Sequence, residues 1–237
     1  MSHENNLEGV QNIRLVIFDI DGTLTQYHTM DKIVKDTLAR FSCVSKKEYS
    51  DQMFAAFEET GTLTETNEFL TMQILYTALE KHATFIKELD LDLQDFTRIM
   101  LEYEKEYVIT KAEMALLIFK LKMKGIKVVC FSNWFLEQAT YKLKHKGLLH
   151  FFEHIYTCED MYAKPNPTSF ERILKKEGVL ASQTLMIGDS MCDMLSNKCG
   201  IQSVLIDYKN TKPQELILAA NAVITRPLDL IELLSQR

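Results

Sequence analysis

Residues 13–22 read IRLVIFDIDG, an apolar run that ends in two acidic residues and a glycine. Apart from Arg14, the first part of this run is continuously apolar, which is typical of a strand covered on both faces of a parallel sheet. Asp19 and Asp21 then end the strand with carboxylates. In an open parallel sheet, reactive groups lie beyond the carboxyl ends of the strands. The stretch therefore predicts a central strand and a candidate site at its end.

After residue 110 the sequence alternates apolar strands with helical stretches. A helix from about Ala112 is expected to stop at Gly125, after a lysine-rich last turn. Asn166 followed by Pro167 predicts the start of a further helix, because a capping residue precedes a first-turn proline. Strands are expected at 126–131, 154–157, 184–187, 201–206 and near residue 222. This alternation predicts an α/β fold with a doubly wound parallel sheet.

Residues 26–109 interrupt that alternation with a helical pattern. Apolar residues recur there at helical spacing in four sets, which begin at Ile33, Met53, Phe69 and Phe96. We therefore expect four amphipathic helices, with Gly61 breaking the chain between the second and the third. The sequence predicts an all-α domain over residues 26–109, inserted into a core domain of residues 1–25 and 110–237.

The composition is that of an ordinary globular protein, with 46% hydrophobic and 25% charged residues over 237 positions. The formal net charge of -6 argues against nucleic acid as the main partner, because surfaces that bind phosphate backbones are usually basic. Two local basic runs, Lys120–Lys127 and Lys142–Lys146, alternate with apolar residues. We interpret both runs as solvated faces.

The cysteine pattern and the hydropathy pattern indicate the compartment. The 5 cysteines are scattered and lack the paired spacing of a metal site, so reduced thiols are expected. Residues 1–11 lack the basic start and the apolar stretch of a signal peptide. No apolar run is long enough to cross a bilayer. We expect a cytoplasmic protein with no membrane partner.

Polar side chains follow three of the predicted strands at the point where each strand ends. These side chains are Asp19 and Asp21, Ser132 and Asn133, and Asp189 and Asp193. Lys164 lies before a proline in the loop between the second and the third of these groups of side chains. Because the carboxyl ends of parallel strands share one edge of the sheet, these groups are expected to form a single site.

Four motifs carry a family resemblance: DIDGT at 19–23, Ser132, AKP at 163–165 and GDSMCD at 188–193. In this order they resemble the four motifs of the haloacid dehalogenase superfamily. Residues 26–109 stand where that family places a C1-type helical cap, as in phosphoglycolate phosphatase and β-phosphoglucomutase. The resemblance implies a Rossmann-like core. It also implies a Mg²⁺-dependent phosphatase that acts on a small phosphorylated metabolite.

The two acids of the first motif suit the cleavage of a phosphate ester. A carboxylate such as Asp19 can attack phosphorus and form an aspartyl-phosphate, which divides one difficult step into two. Asp21 can protonate the leaving alcohol and later deprotonate the attacking water. Dehalogenases and phosphonate-cleaving relatives typically lack an acid at the second position, so Asp21 argues against both activities.

Two carboxylates that face a phosphate dianion require a cation, and Mg²⁺ with its preference for oxygen ligands fits best. The resemblance implies that its protein ligands are Asp19, the backbone carbonyl of Asp21 and Asp189. It also assigns phosphate binding to Lys164 and to three hydrogen-bonding residues. These three residues are Thr23, Ser132 and Asn133.

Three further roles are expected around these groups. Thr23 is also expected to anchor the turn that presents Asp21. Gly22 lets the backbone approach the phosphate closely. Asp193 is expected to orient Lys164 or a metal-bound water.

Each assignment has a structural alternative. Asp21 and Gly22 could form an ordinary turn, Asp189 could cap a helix, and Lys164 could be a surface lysine. Trp134 could stack on substrate or simply pack.

Two other functions stay open at this stage. A phosphomutase of the β-phosphoglucomutase type would keep the same motifs and the same cap. A binding or regulatory module could keep the scaffold without catalysis. The sequence leaves the substrate and the oligomeric state open.

Overall fold

The computed structural model describes residues 12–27, 30–66, 69–106, 108–109, 112–159 and 161–235. Its strands are β1 (Leu15–Phe18), β2 (Gln26–Tyr27), β3 (Val108–Ile109), β4 (Lys127–Ser132), β5 (Ile155–Thr157), β6 (Thr184–Gly188), β7 (Gln202–Ile206) and β8 (Ala222–Ile224). Its α-helices are α1 (Met30–Arg40), α2 (Lys47–Thr66), α3 (Met72–His82), α4 (Phe85–Glu88), α5 (Leu93–Glu106), α6 (Ala112–Met123), α7 (Leu136–His145), α8 (Pro167–Glu177), α9 (Met191–Met194), α10 (Gln214–Ala219) and α11 (Asp229–Ser235).

Six strands form one parallel sheet in the order β5-β4-β1-β6-β7-β8. Helices cover both faces, which confirms the predicted doubly wound α/β fold. The chain builds outward from β1 on one side through β4 and β5, then returns to build β6, β7 and β8 on the other. Such a change of direction opens a crevice at the carboxyl ends of the central strands.

Strand β1 is buried along its whole length. Val16 and Phe18 join an apolar cluster with residues of α6 and α11 on one face of the sheet. Leu15 and Ile17 join a second cluster with Phe170 of α8 on the opposite face. Burial on both faces explains why this strand is a continuous apolar run rather than an alternating one.

The register of the sheet brings the ends of three strands to one level. Phe18 of β1 lies beside Cys130 of β4 and beside Ile187 of β6. The backbone N–H of Asp19 continues this pairing by donating to the Ile187 carbonyl at 2.9 Å. The residues that follow β1, β4 and β6 are therefore neighbours in space, although they lie far apart in the chain.

The inserted segment contains helices α1 to α5, whose buried apolar residues form one cluster that also includes Phe135, Cys158 and Ala163 of the core. The four predicted helices correspond to α1, α2, α3 and α5. Helix α4 is additional, because Phe85–Glu88 is too short to show a helical period in the sequence. The expected break at Gly61 is wrong. Helix α2 continues through Gly61, because a glycine costs a helix interior only about 1 kcal/mol relative to alanine.

The two ends of the inserted segment lie side by side. Strands β2 and β3 pair antiparallel, with Gln26 opposite Ile109 and Tyr27 opposite Val108. The chain thus leaves the core and returns to it at adjacent points. The division of the chain into domains at residues 26 and 109 stays a prediction. Within the described part of the chain, no helix combines the length and the apolar character needed to span a membrane.

Candidate active site

The turn after β1 is closed by backbone and side-chain hydrogen bonds. The N–H of Gly22 donates to the Thr25 carbonyl at 2.7 Å, and the N–H of Thr25 donates to the Ile20 carbonyl at 2.9 Å. The Thr25 hydroxyl adds a further bond to the Ile20 carbonyl at 2.9 Å. It also lies 3.4 Å from Oδ1 of Asp21. Thr25 therefore fixes the turn that presents Asp21.

Thr23 differs from the sequence-based expectation. The anchoring role expected of Thr23 falls to Thr25. The Thr23 side chain is fully buried, and its hydroxyl has no hydrogen-bond partner among the described residues. Its carbonyl accepts a hydrogen bond of 2.8 Å from the hydroxyl of Tyr208. A phosphate contact by Thr23 stays a prediction, and this complete burial does not favour it.

Gly22 is needed for two separate reasons. Its φ of +85° lies in the region that side chains with a Cβ rarely adopt. A Cβ at this position would also lie 2.3 Å from Oδ2 of Asp189. Glycine is therefore what allows the turn after β1 and the loop after β6 to come together.

Lys164 lies between two carboxylates at the centre of the site. Its Nζ is 2.7 Å from Oδ1 of Asp19 and 2.7 Å from Oδ1 of Asp193. Only 2% of Lys164 is exposed, and Asp193 is completely buried. The structure thus brings together three of the residues that the motifs single out, and Lys164 is not a surface lysine.

Asp193 holds Lys164 and organises the loop after β6. Its Oδ2 accepts hydrogen bonds from the Asp189 N–H at 3.2 Å, the Ser190 N–H at 3.1 Å and the Ser190 hydroxyl at 2.6 Å. A Cβ on Gly188 would lie 2.2 Å from Cγ of Asp193. The Asp193 carboxylate therefore orients the lysine and also forms a capping box with Ser190 at the start of α9.

Asn133 clamps the backbone of Lys164. Its Oδ1 accepts the Lys164 N–H at 2.7 Å, and its Nδ2 donates to the Lys164 carbonyl at 3.0 Å. This contact gives Asn133 a positioning function, whereas a direct contact of Asn133 with phosphate stays a prediction. The Ser132 hydroxyl accepts the Trp134 N–H at 3.2 Å, and Ser132 lies at the cavity described below.

A second lysine was missed by the sequence analysis. Lys142 of α7 is completely buried, so the interpretation of Lys142–Lys146 as a solvated face is wrong at this position. Its Nζ lies 2.8 Å from Oδ1 of Asp21 and contacts a carboxylate oxygen of Glu104 in α5. Burial of an ammonium is tolerated here because two carboxylates surround it.

The helical period could have located both members of this pair. Lys142 lies three residues after Ala139 and directly before Leu143, and both of these neighbours are buried. Glu104 lies four residues after the buried Met100 on the inner face of α5. The charged residue types of Lys142 and Glu104 indicate solvent-exposed positions, whereas their helical spacing from buried residues indicates positions in the core.

Asp189 has a lysine partner of its own. The Nζ of Lys212 lies 2.7 Å from Oδ2 of Asp189 and donates to the Asp189 carbonyl at 2.6 Å. Asp207 holds the backbone of this segment by accepting the Lys212 N–H at 3.0 Å. Lys212 lies in no motif, so no sequence pattern indicates this contact.

The charges of the buried groups depend on one another. Burial raises the pKa of Asp19 well above its ordinary value, and Lys164 opposes this rise without cancelling it. Burial also disfavours the charge of Lys164, but Asp19 and Asp193 outweigh that effect and raise the pKa of the ammonium. Lys142 shows the same balance, with its pKa raised by Asp21 and Glu104 against the effect of burial.

The acidic groups fit a divalent cation. Asp19, Asp189 and Asp193 each offer a carboxylate oxygen within 4.8 Å of the others. Oδ2 of Asp19 is buried and has no hydrogen-bond partner among the described residues. Both oxygens of Asp193 are already engaged. Asp19 and Asp189 are therefore the better ligands, and a cation beside Asp19 would favour its ionised form.

A cavity of about 410 Å³ lies over Asp19 and Asp21. Its described lining includes Ser132 and Asn133 from the core and residues of α1, α2 and α5 from the inserted segment. Trp134 lines the cavity and packs edge-to-face on Phe57, with ring centroids 5.3 Å apart. Its packing role is thus observed, and stacking on substrate stays a prediction.

Known proteins are similar to this chain over most of its length. A pyrophosphatase, PpaX, from Halalkalibacterium halodurans is 28% identical over 199 residues, which cover 83% of this chain and 84% of the relative. The crystal structure of a HAD phosphatase from Thermococcus onnurineus superimposes with a TM-score of 0.66 at 25% identity. That match covers 94% of this chain and 98% of the other.

A third match shares the fold. Bacillus subtilis YfnB, classed as a HAD-hydrolase and solved bound to magnesium, superimposes with a TM-score of 0.74 at 17% identity. The match covers 94% of this chain and 99% of the other chain. The model of the haloacid dehalogenase-like hydrolases matches residues 13–199, the region that contains all four motifs and the buried lysines. The chain belongs to the haloacid dehalogenase-like hydrolase family.

Proposed function

We propose that this protein is a Mg²⁺-dependent phosphatase that hydrolyses a small phosphomonoester through an aspartyl-phosphate on Asp19. The observation that carries the proposal is the placement of Lys164 at 2.7 Å from both Asp19 and Asp193. Oδ2 of the same Asp19 has no hydrogen-bond partner among the described residues. This arrangement supplies a nucleophile and a fixed positive charge within one buried cluster.

In the first step, a carboxylate oxygen of Asp19 attacks phosphorus while the bond from phosphorus to the alcohol oxygen breaks. Lys164 is placed to stabilise the negative charge on the phosphoryl oxygens, and such preorganised charge is usually the largest catalytic contribution. Asp19 and Asp189 would hold Mg²⁺. The bound cation would supply charge neutralisation that lets a dianionic ester approach the carboxylates.

Asp21 is proposed to move the proton in both steps. Its Oδ1 accepts a bond of 2.8 Å from Lys142, and the turn closed by Thr25 fixes its backbone. In the first step, protonated Asp21 gives its proton to the leaving alcohol oxygen. In the second step, the Asp21 carboxylate takes a proton from water, whose oxygen attacks phosphorus while the bond from phosphorus to the Asp19 oxygen breaks. The products are the free alcohol, inorganic phosphate and the original enzyme.

Release of phosphate from p-nitrophenyl phosphate with Mg²⁺ tests this function. Asp19→Asn is expected to abolish release, whereas Asp51→Asn, at an exposed position of α2, serves as the matched control and should not change it. Mass spectrometry of acid-quenched protein should find a phosphorylated peptide that contains residue 19 in the wild type and not in Asp19→Asn. Turnover that persists in Asp19→Asn would refute the mechanism.

Product analysis separates the phosphatase from the two alternatives. A phosphomutase would return the phosphoryl group to substrate, so an isomerised product would accumulate instead of inorganic phosphate. A non-catalytic module would show neither product. Phosphate release equal to substrate consumed supports the phosphatase.

A further inference from the structure

The cavity over Asp19 is apolar on the side away from the acids. Met30 and Ile33 of α1 and Phe57 of α2 line it, together with Trp134 from the core. Its volume of about 410 Å³ is in the lower part of the range for small-molecule sites, which is roughly 300–1,000 Å³. The cavity therefore has room for a phosphoryl group and a compact apolar substituent.

The charged side chains among the described lining residues are all acidic. They are Asp19, Asp21 and Glu104, and none of the described lining residues is a lysine, arginine or histidine. The neighbouring ammonium of Lys142 is already shared by Asp21 and Glu104. Among the described lining residues, a second anionic group on the substrate would meet only uncharged side chains and Glu104. Burying such a group without a partner is strongly unfavourable.

Gly61 gives independent evidence that there is open space beside α2. It lies inside helix α2 and lines the cavity. A Cβ at this position would meet no atom of the described residues within 4 Å, so packing against those residues does not require a glycine. Gly61 is not among the positive-φ glycines either, so the backbone does not require one. Glycine weakens the helix by about 1 kcal/mol relative to alanine. In return, the missing side chain leaves open space where Gly61 lines the cavity.

Aromatic packing gives the apolar wall a fixed shape. Trp134 lies edge-to-face against Phe57, with an interplanar angle of 81°, and against Phe135 at 63°. Phe57 comes from the inserted helices and Phe135 from the core. Edge-to-face contacts restrain ring orientation, so the wall presents a defined surface for a flat or extended apolar group.

We propose that the substrate is a phosphate monoester of an uncharged, largely apolar alcohol that carries a single ring or a short alkyl chain. This proposal rests on the phosphatase activity proposed above. It distinguishes this chain from its pyrophosphatase relative, whose name gives a substrate that carries a second phosphoryl group. Hydrolysis breaks the bond between phosphorus and the alcohol oxygen. The oxygen of the attacking water stays on the phosphate. The alcohol oxygen takes up one proton, so the alcohol leaves as a neutral molecule.

A homologous series of n-alkyl phosphates from ethyl to hexyl tests the proposal. These esters share nearly the same leaving-group basicity, so differences in kcat/KM report on the apolar group. We expect kcat/KM to rise about fourfold for each added methylene that enters the cavity. Pyrophosphate and phosphoglycolate should be hydrolysed at least about tenfold less efficiently than hexyl phosphate. Rates independent of chain length, or highest for pyrophosphate, would overturn the proposal.

Gly61→Leu tests whether the space beside α2 is used. The leucine side chain would enter the cavity, and leucine is also the better helix former. We expect the ratio of kcat/KM for hexyl phosphate to that for ethyl phosphate to fall at least about tenfold. Asp51→Leu adds the same side chain at an exposed position of the same helix and should leave the ratio unchanged. Equal hexyl-to-ethyl ratios of kcat/KM in the two variants would contradict the proposal that the apolar group lies beside α2.

A binding measurement separates failure of this proposal from failure of the phosphatase function. Alkylphosphonates are not hydrolysed, so calorimetry of ethyl- and hexylphosphonate with Mg²⁺ does not depend on turnover. Tighter binding of hexylphosphonate without any phosphate release would retain the apolar site and reject the catalytic proposal. Phosphate release without tighter binding of hexylphosphonate would support the phosphatase function and reject the apolar site.

Discussion

Two buried lysines stand on either side of the acidic pair, and each is shared by two carboxylates. Lys164 joins Asp19 to Asp193, and all of these residues belong to the α/β core. Lys142 joins Asp21 of the core to Glu104 of the inserted helices. The first cluster is therefore complete within the core. The second cluster is complete only when α5 lies against the core.

This difference divides the chemistry between two parts of the chain. The expected nucleophile is held by core elements alone, because Lys164 follows β5 and Asp193 follows β6 of the same sheet. The expected proton donor shares its lysine with a residue of the inserted helices. We infer that the position of α5 influences the acid more than the nucleophile. The predictions below test this contrast in order of decreasing effect.

Lys164→Met should cause the largest loss. Removing a preorganised charge that faces the phosphoryl group is expected to lower kcat by about 10³-fold. Steady-state release of phosphate measures the change, with circular dichroism to show that the variant is folded. A kcat within about tenfold of the wild type would mean that the Lys164 cluster is structural.

Lys142→Met should cause a smaller loss of kcat, about 10²-fold, because it disturbs the general acid rather than the nucleophile. It should also lower the free energy of unfolding by about 3 kcal/mol, since it leaves carboxylates without their ammonium partner. The double variant Lys142→Met with Glu104→Leu should recover most of that stability without recovering kcat. Recovery of both would show that Lys142 affects activity only through folding.

Thr25 and Thr23 form a matched pair within the turn that presents Asp21. Both side chains are fully buried, but only the Thr25 hydroxyl has described hydrogen-bond partners. Thr25→Val should lower the free energy of unfolding by about 1 kcal/mol, and Thr23→Val should be close to neutral. Urea unfolding of both variants measures the difference. A larger cost for Thr23→Val would reverse the assignment of the anchoring hydroxyl.

Mg²⁺ binding should release a fraction of a proton from Asp19. Burial raises the pKa of Asp19, so part of the population is protonated as the pH falls, and the cation favours the ionised form. The release should therefore grow as the pH is lowered. Calorimetry in buffers of different ionisation enthalpy measures it. Asp19→Asn, if it still binds the ion, should show a smaller release.

Much of the fold and part of the site could be predicted from local sequence. The apolar run before Asp19 predicted β1 because a strand buried on both faces has few polar positions. Lys164 was identified because it lies beside Pro165 in a motif. Lys142 could not be identified in this way, because its partners Asp21 and Glu104 are remote in sequence. Its residue type alone favours a solvent-exposed position.

Other errors have similar physical causes. Gly61 was interpreted as a helix break because glycine is a poor helix former, yet one glycine is a small cost in a helix that buries Met53 and Ala56. Thr23 lies within the motif DIDGT and Thr25 lies outside it, so the motif alone points to the wrong hydroxyl as the anchor of the turn. Which of two neighbouring hydroxyls reaches a carbonyl depends on backbone geometry that the residue types do not encode.

The pairing of β2 with β3 has a consequence for how this protein could vary. Because the inserted segment begins and ends at adjacent points, its length adds little to the entropy cost of closing the core, which grows only slowly with loop length. Helices between those strands can be exchanged, lengthened or replaced while the sheet below keeps its register. The helices that line the cavity can therefore change without moving the strand ends that carry the proposed catalytic residues.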